Sequence, residues 1–157
     1  TVTGVQTCAL PISAKAVIQE RYEIESAPLL GDSLELELLV LNLIRNASEV
    51  EPQKGGRVHV EVTVRHGDDG RFCVEVQDNG KTLTDEELER LTKMMQSVKP
   101  EGLGMGLSIV RGIADSHGAE LDFRRGDTCG LKVTVTFEAV ADNSESPTIP
   151  NETKEAT

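Results

Sequence analysis

The chain predicts an α+β two-layer sandwich, with helices on one face of a mixed, mostly antiparallel sheet. Three observations lead there. RVHVEVTVR (57–65) and RFCVEVQ (71–77) alternate apolar and polar residues, the pattern of two half-buried strands, and turn letters HGDDG join them. LELELLVLNLIRNASEV (34–50) repeats its apolar residues at helical spacing. A second pair of alternating runs, AELDFRR (119–125) and LKVTVTFEA (131–139), follows two further helical stretches.

Taken in order, the first residues stand apart. VTGVQTCALPI (2–12) fits none of these elements. It resembles the translation of a common sequencing-library adapter. Residues 1–13 are therefore expected to be non-native, Cys8 among them, and the natural chain is expected to continue upstream. VIQERYEIE (17–25) puts Ile18, Tyr22 and Ile24 on one parity and predicts an edge strand. Pro28 and Gly31 mark a turn. Asp32 is suited to cap a helix, and Glu35 three places on completes the capping-box pattern. In that helix Leu36, Leu39, Leu43, Ala47 and Val50 share a face. Leu38, Val40 and Leu41 widen it, so the helix is expected to be largely buried. Pro52, Gly55 and Gly56 end it.

In the first hairpin Val58, Val60, Val62 and Val64 face Phe72, Val74 and Val76 in pattern. Thr84 with Glu87 repeats the capping box, with Leu83 placed to staple onto Leu88, and that helix runs to about Met95. EGLGMGLSI (101–109) is a glycine-rich turn opening the next helix, which Gly118 closes. GDTCG joins the last two strands. ADNSESPTIPNETKEAT (141–157) has nothing to bury and reads as a disordered tail, leaving 14–140 as the domain.

Composition narrows the function. A net charge of −11 argues against a nucleic-acid or anionic-membrane surface. No apolar run approaches the ~20 residues of a membrane span. Three cysteines without paired spacing make neither a disulfide framework nor a zinc site, so Cys73 and Cys129 read as free thiols in a reducing compartment. With no Trp, one Tyr and three Phe, the core must be built from Leu, Val and Ile.

Three motifs carry chemistry. Gly102, Gly104 and Gly106 precede a helix whose first N–H groups and positive dipole end suit a phosphate, and Lys99 adds a point charge. By itself this is also the pattern of a flexible linker. Asn42 and Asn46 lie four apart on one face of an otherwise apolar helix. Such a pair must be satisfied, either by nearby loops or by a hard cation that carries phosphates. Asp78 ends a strand in DNG (78–80), where a carboxylate could accept from an exocyclic amine and Gly80 would let backbone pass close to a base; an ordinary turn uses the same letters.

In combination, LNLIRNA (41–47) resembles the asparagine box of the gyrase, heat-shock chaperone, histidine kinase and mismatch-repair ATPase superfamily. VEVQDNG (74–80) resembles its first glycine box, and KPEGLGMGLSIVRGIADSHGAEL (99–121) resembles the lid and second glycine box of histidine kinases. The resemblance spans about Asp32 to Ala139 and implies a Bergerat-type ATP-binding fold. It implies ATP and magnesium as ligands: Asn46 on the metal, Asp78 and Gly80 at adenine, and Lys99, Gly102, Gly104 and Gly106 over the phosphates, with Leu107 beside them. Asn42 would sit next to the phosphates and, with Lys99, act on the transferring group. The water-activating members carry Glu where Asn42 stands, and an amide cannot take a proton at neutral pH.

What the resemblance implies is a cytoplasmic catalytic domain of a two-component sensor histidine kinase, with or without a membrane anchor elsewhere in the parent protein. Its γ-phosphate would pass to a histidine on an upstream dimerisation domain, then to a response regulator. His59, His66 and His117 lack the acceptor pattern, so this piece alone is expected to be inactive. Thr82, Leu91, Met94 and Leu131 depart from the family, at a second glycine, two lid phenylalanines and a threonine. A degenerate nucleotide-binding or interaction module is the alternative those departures favour. An anti-sigma-type serine kinase is another, disfavoured by Asn42 and the adapter-like start.

Overall fold

A computed structural model describes residues 4–8, 16–24, 31–67, 70–96 and 104–138. The order is β1 (Gly4–Cys8), β2 (Ala16–Tyr22), α1 (Ser33–Ser48), β3 (Val58–His66), β4 (Phe72–Asp78), α2 (Asp85–Gln96), α3 (Met105–Ser116), β5 (Glu120–Arg125) and β6 (Leu131–Phe137). The six strands form one sheet in the order β1-β2-β3-β4-β6-β5. Among the described residues β2 and β3 run parallel, and the other neighbouring pairs are antiparallel. The helix between β2 and β3 explains that exception, because a parallel pair needs a crossover.

The helices cover one face. On it, register lines up Ile18 with Val60, Val62 with Val76 and Val76 with Val133. Val74 pairs with Val135, and Phe72 with Phe137. These residues meet Leu39, Leu43, Ile44, Ala47, Val110, Ile113 and Ala114 in a single core. The opposite face carries polar pairs such as Arg65–Glu75 at 2.6 Å. The aliphatic core expected from composition is therefore present, and Cys73 and Cys129 are free and buried.

Four expectations need correction. A strand, Gly4–Cys8, forms in the stretch assigned to no element and pairs with β2. The β2 strand is consequently internal to the sheet, and its Tyr22 is 40% exposed. The α1 helix is less buried than expected: Leu38 and Leu41 are exposed, because the sheet and α3 together cover only the Leu39–Leu43–Ala47 side. His66 ends β3 instead of lying in the turn. Pro28 and the tail from residue 141 lie outside the described residues.

The two capping boxes part company. At α2 the box is reciprocal: Thr84 N–H donates to Glu87 Oε2 at 2.8 Å, and Glu87 N–H donates to Thr84 Oγ1 at 3.2 Å. That amide holds the exposed Glu87 carboxyl below its usual range. At α1, Asp32 Oδ1 accepts from Leu34 N–H and Glu35 N–H, but Asp32's own N–H turns to His117 Nε2 instead of to Glu35. The α3 helix ends as expected. Gly118 takes φ 61°, and Ala119 N–H reaches the Ala114 carbonyl at 2.8 Å.

Candidate functional site

The α1 helix presents Asn42 and Asn46 near its C-terminal half. Asn42 is 9% exposed, and its Nδ2 donates to the Leu38 carbonyl at 2.8 Å. That bond leaves Oδ1 pointing outward from the helix's own hydrogen bonds. Asn46 Nδ2 is buried and has no hydrogen-bond partner among the described residues. A buried donor left unmade costs about 1–3 kcal/mol, so the position is strained toward a ligand.

Gly106 closes on this pair. A Cβ at 106 would lie 2.8 Å from Asn46 Oδ1, 3.2 Å from Asn46 Nδ2 and 3.3 Å from Asn42 Oδ1. Any added side chain would push the Asn46 amide away, so glycine is what keeps the α3 backbone this near to it. Gly104 caps α3 with no side-chain bond, so the first-turn N–H groups keep no partner within the helix. Met105 points to solvent at 83% exposure, whereas Leu107 packs against the core. Lys99, Gly102 and Leu103 lie outside the described residues.

Asp78 occupies a core-parity position at the end of β4, following Val74 and Val76 and opposite Val60. It is 7% exposed, and burial pushes its carboxyl above the usual value, against amide bonds from Gly80 and Leu131 that pull it down. Both bonds fall on Oδ1, at 2.7 Å and 3.3 Å. Oδ2 makes no hydrogen bond among the described residues and is free for a donor. Gly80 is also required by space: a Cβ there would meet Asp78 Oδ1 and Val50 Cβ, each at 2.9 Å. Val50 directly follows Glu49, the C-cap of α1, four positions after Asn46. The contacts thus run from Asp78 through Gly80 and Val50 to the end of α1, and from Asn46 to Gly106.

Two features of the site were not legible beforehand. Gly130 holds φ 77°, and a Cβ there would overlap the Asp78 carbonyl and carboxylate oxygens. The sequence signal is a glycine at the end of GDTCG directly before a strand, a pattern that a plain connection also shows. Thr82, a departure from the glycine pattern, donates from both N–H and Oγ1 to Gln53 Oε1 at 3.0 Å, tying the loop after β4 to the loop after α1. Of the other departures, Leu91 packs against the core and Met94 is half-buried, while Met95, the next residue, is 6% exposed.

A cleft of about 660 Å³ lies elsewhere, between α1 and strands β2, β3, β4 and β6, with Tyr22, Leu41 and Phe137 in its walls. None of Asn42, Asn46, Asp78, Gly80 and Gly106 lines it. Among the described residues, no three His, Cys, Asp or Glu side chains gather as a metal cage. A cation at Asn46 would accordingly take one amide oxygen from these residues and the remainder from phosphate and water, as magnesium does. The orphaned Nδ2 donor suits an acceptor such as a phosphate oxygen, and Oδ1 of the same amide, facing the space kept by Gly106, is the atom that could reach the cation.

A two-layer sandwich with an amide pair on the inner helix, a glycine-opened helix packed on that pair and a buried carboxylate at a strand tip is the ATP-binding arrangement of the class the sequence resembles. Residues 31–141 match the family described as histidine kinase-, DNA gyrase B-, and HSP90-like ATPase. The chain belongs to this family. Among curated proteins it is similar to the sensory histidine kinase/phosphatase NtrB of Azospirillum brasilense, 33% identical over 66% of this chain and 29% of that protein. It is also similar to sporulation kinase B of Bacillus subtilis, 28% identical over 85% of this chain and 31% of that one. The chain thus spans about a third of the length of these relatives. Among solved structures, the catalytic domain of histidine kinase ThkA superposes with a TM-score of 0.61 at 22% identity, covering 76% of each chain. Full-length ShkA in complex with AMPPNP also gives 0.61, at 21% identity, over 80% of this chain and 26% of that one.

Proposed function

We propose that this chain is the ATP-binding catalytic domain of a two-component sensor histidine kinase. It holds magnesium-ATP and presents the γ-phosphate to a histidine on a dimerisation domain outside these residues, from which a response regulator aspartate is phosphorylated. The observation that carries this reading is Gly106 pressed against Asn46, whose buried Nδ2 has no partner among the described residues. The site-residue roles rest on that contact and on motif position, supported by kinase relatives.

In this reading Asn46 offers its amide oxygen to magnesium, and the bound ion supplies charge neutralisation at the phosphates. Asp78 Oδ2 accepts from the adenine exocyclic amine, and Gly80 leaves room for the base edge. Gly102, Gly104 and Gly106, with Lys99 and Leu107, close the phosphate end, where first-turn N–H groups donate to oxygens. Asn42 orients beside the phosphates and cannot act as a general base, so the chain holds ATP for transfer instead of activating water. Catalysis by these residues is positioning and electrostatics.

His59 and His66 lie exposed on β3, and His117 is packed at the end of α3. None is proposed as the acceptor, and phosphorylation requires the dimerisation domain in trans. Residues 14–140 are the proposed functional unit, with 1–13 outside it and a cytoplasmic location for the whole.

The test is ATP affinity with and without magnesium for the wild type and Asn46→Ala. Loss of the magnesium-dependent part in Asn46→Ala, with the fold retained, supports the assignment. Unchanged affinity refutes the metal role. No binding by the wild type at millimolar ATP would leave an interaction module in place of the kinase.

A further inference from the structure

The α1 and α3 helices run antiparallel, and the pair is pinned at both ends. At one end Gly106 meets Asn42 and Asn46. At the other stands His117, its side chain only 6% exposed. Its Nδ1 lies 2.9 Å from the Ile113 carbonyl oxygen and 3.1 Å from Ser116 Oγ. Its Nε2 lies 3.2 Å from the backbone nitrogen of Asp32, the residue that caps α1.

These contacts fix the ring's state. A backbone N–H can only donate, so Nε2 must accept and carries no proton. The single ring proton is on Nδ1, shared toward the Ile113 carbonyl. In this arrangement the ring supplies to α1 the acceptor that Glu35 would supply in a self-contained capping box. The backbone has closed on it: a Cβ at Gly31 would lie 2.5 Å from the ring's Cδ2 and 2.7 Å from Nε2. Residue 31 must be glycine for the ring to stay.

We infer that His117 is a positioning residue for the nucleotide site: through the Asp32 amide it sets the register of α1 on α3 that brings Gly106 onto Asn42 and Asn46. A proton on Nε2 would oppose N–H to N–H at Asp32 and open this clasp. The groups facing the ring compete for it. From α1, Glu35 Oε2 lies 3.7 Å from Nδ1 and 3.4 Å from Ser116 Oγ. Asp32's carboxylate is engaged by the Leu34 and Glu35 amides. On α3, Asp115 pairs with Arg111 at 3.5 Å. Among the described residues Glu35 is the carboxylate in ion-pair reach, on the Nδ1 side, so a protonated ring would be drawn to Glu35 through Nδ1 while its Nε2–H faces the Asp32 N–H. The consequence for ATP rests on the reading of the site proposed above; the clasp itself does not.

The experiment follows the full 157-residue chain by ¹⁵N NMR between about pH 8 and 5, the range over which histidine changes charge. The ring nitrogens of His117, the amides of Asp32 and Gly106, and magnesium-ATP affinity are read at each pH. At neutral pH the Nδ1–H tautomer is expected. On acidification the Asp32 and Gly106 amides should shift with the ring's own midpoint, and ATP affinity should fall in the same window. At neutral pH His117→Ala should lower affinity about tenfold, equivalent to ~1.4 kcal/mol. His117→Gln, which restores an acceptor for Asp32, should recover most of that loss and flatten the pH profile. An Nε2–H tautomer, a Gly106 amide that ignores the ring's titration, or a His117→Gln profile identical to the wild type overturns the inference. If the chain binds no ATP, the site reading falls, while tautomer and Gly106 coupling still decide the clasp.

Discussion

Gly106→Ala isolates the contact between the asparagine pair and the glycine-opened helix. The added methyl would sit 2.8 Å from Asn46 Oδ1, where ordinary contact begins at 3.4 Å, so the amide must retreat by roughly 0.6 Å. The partner is the end of a side chain, so folding need not suffer. Alanine in place of glycine in a helix is itself favourable by about 0.5–1 kcal/mol. Unfolding free energy should therefore change little, between zero and about 1 kcal/mol of stabilisation. The site should respond differently. A 1 Å misplacement can cost about a hundredfold, so this shift should weaken magnesium-ATP binding by about tenfold, or ~1.4 kcal/mol. Urea denaturation reads the first quantity and calorimetric titration the second. Unaltered affinity in a folded variant would refute the claim that Asn46 and the α3 start share one ligand.

Other consequences separate fold from site. Asp78→Asn keeps an oxygen for the Gly80 and Leu131 amides and removes the charge, so ATP-over-GTP preference should fall in competition binding. Burial raises the Asp78 carboxyl above 3.8, so the folded state binds this proton more tightly than the unfolded state does. Its contribution to stability must then decline as pH rises from about 3.8 through the raised folded value, and Asp78→Asn should remove that part of the slope in urea titrations across the window. Leu39→Ala empties a position with 0% exposure and should cost about 2–5 kcal/mol by urea unfolding. Leu41→Ala, at 40% exposure, should change stability by less than about 1 kcal/mol; equal losses would mean that α1 is covered on both sides. Thr84→Ala should cost about 1 kcal/mol through loss of the α2 cap, by the same measurement.

Periodicity and cap letters made most of the fold legible. The valine alternation placed β3 and β4 to within a residue of their observed bounds, and Gly118 marked the end of α3. What stayed hidden depended on neighbours distant in sequence. Leu38 and Leu41 carry the same letters as Leu39, and only the positions of the sheet and α3 decide which is covered. Asp32–Glu35 and Thr84–Glu87 are alike as patterns, yet one box is opened by a histidine 85 residues away and the other has no such competitor. Gly130 looked like connective turn because its role is to leave room for Asp78, fifty-two positions earlier. The motifs named Asn42, Asn46, Asp78, Gly80 and Gly106; their spatial relation required the antiparallel pairing of α1 with α3 and the contact of Val50 with Gly80.

The most direct measurement is the set of backbone amide shifts as magnesium-ATP is titrated into the ¹⁵N-labelled chain. Amides of Asn46, Gly80, Gly106 and Leu131 should move together along one binding curve, while Val64 and Phe137, at the apolar cleft, stay in place. Movement confined to one of those four, or centred on the Tyr22–Phe137 cleft, would contradict a single nucleotide site.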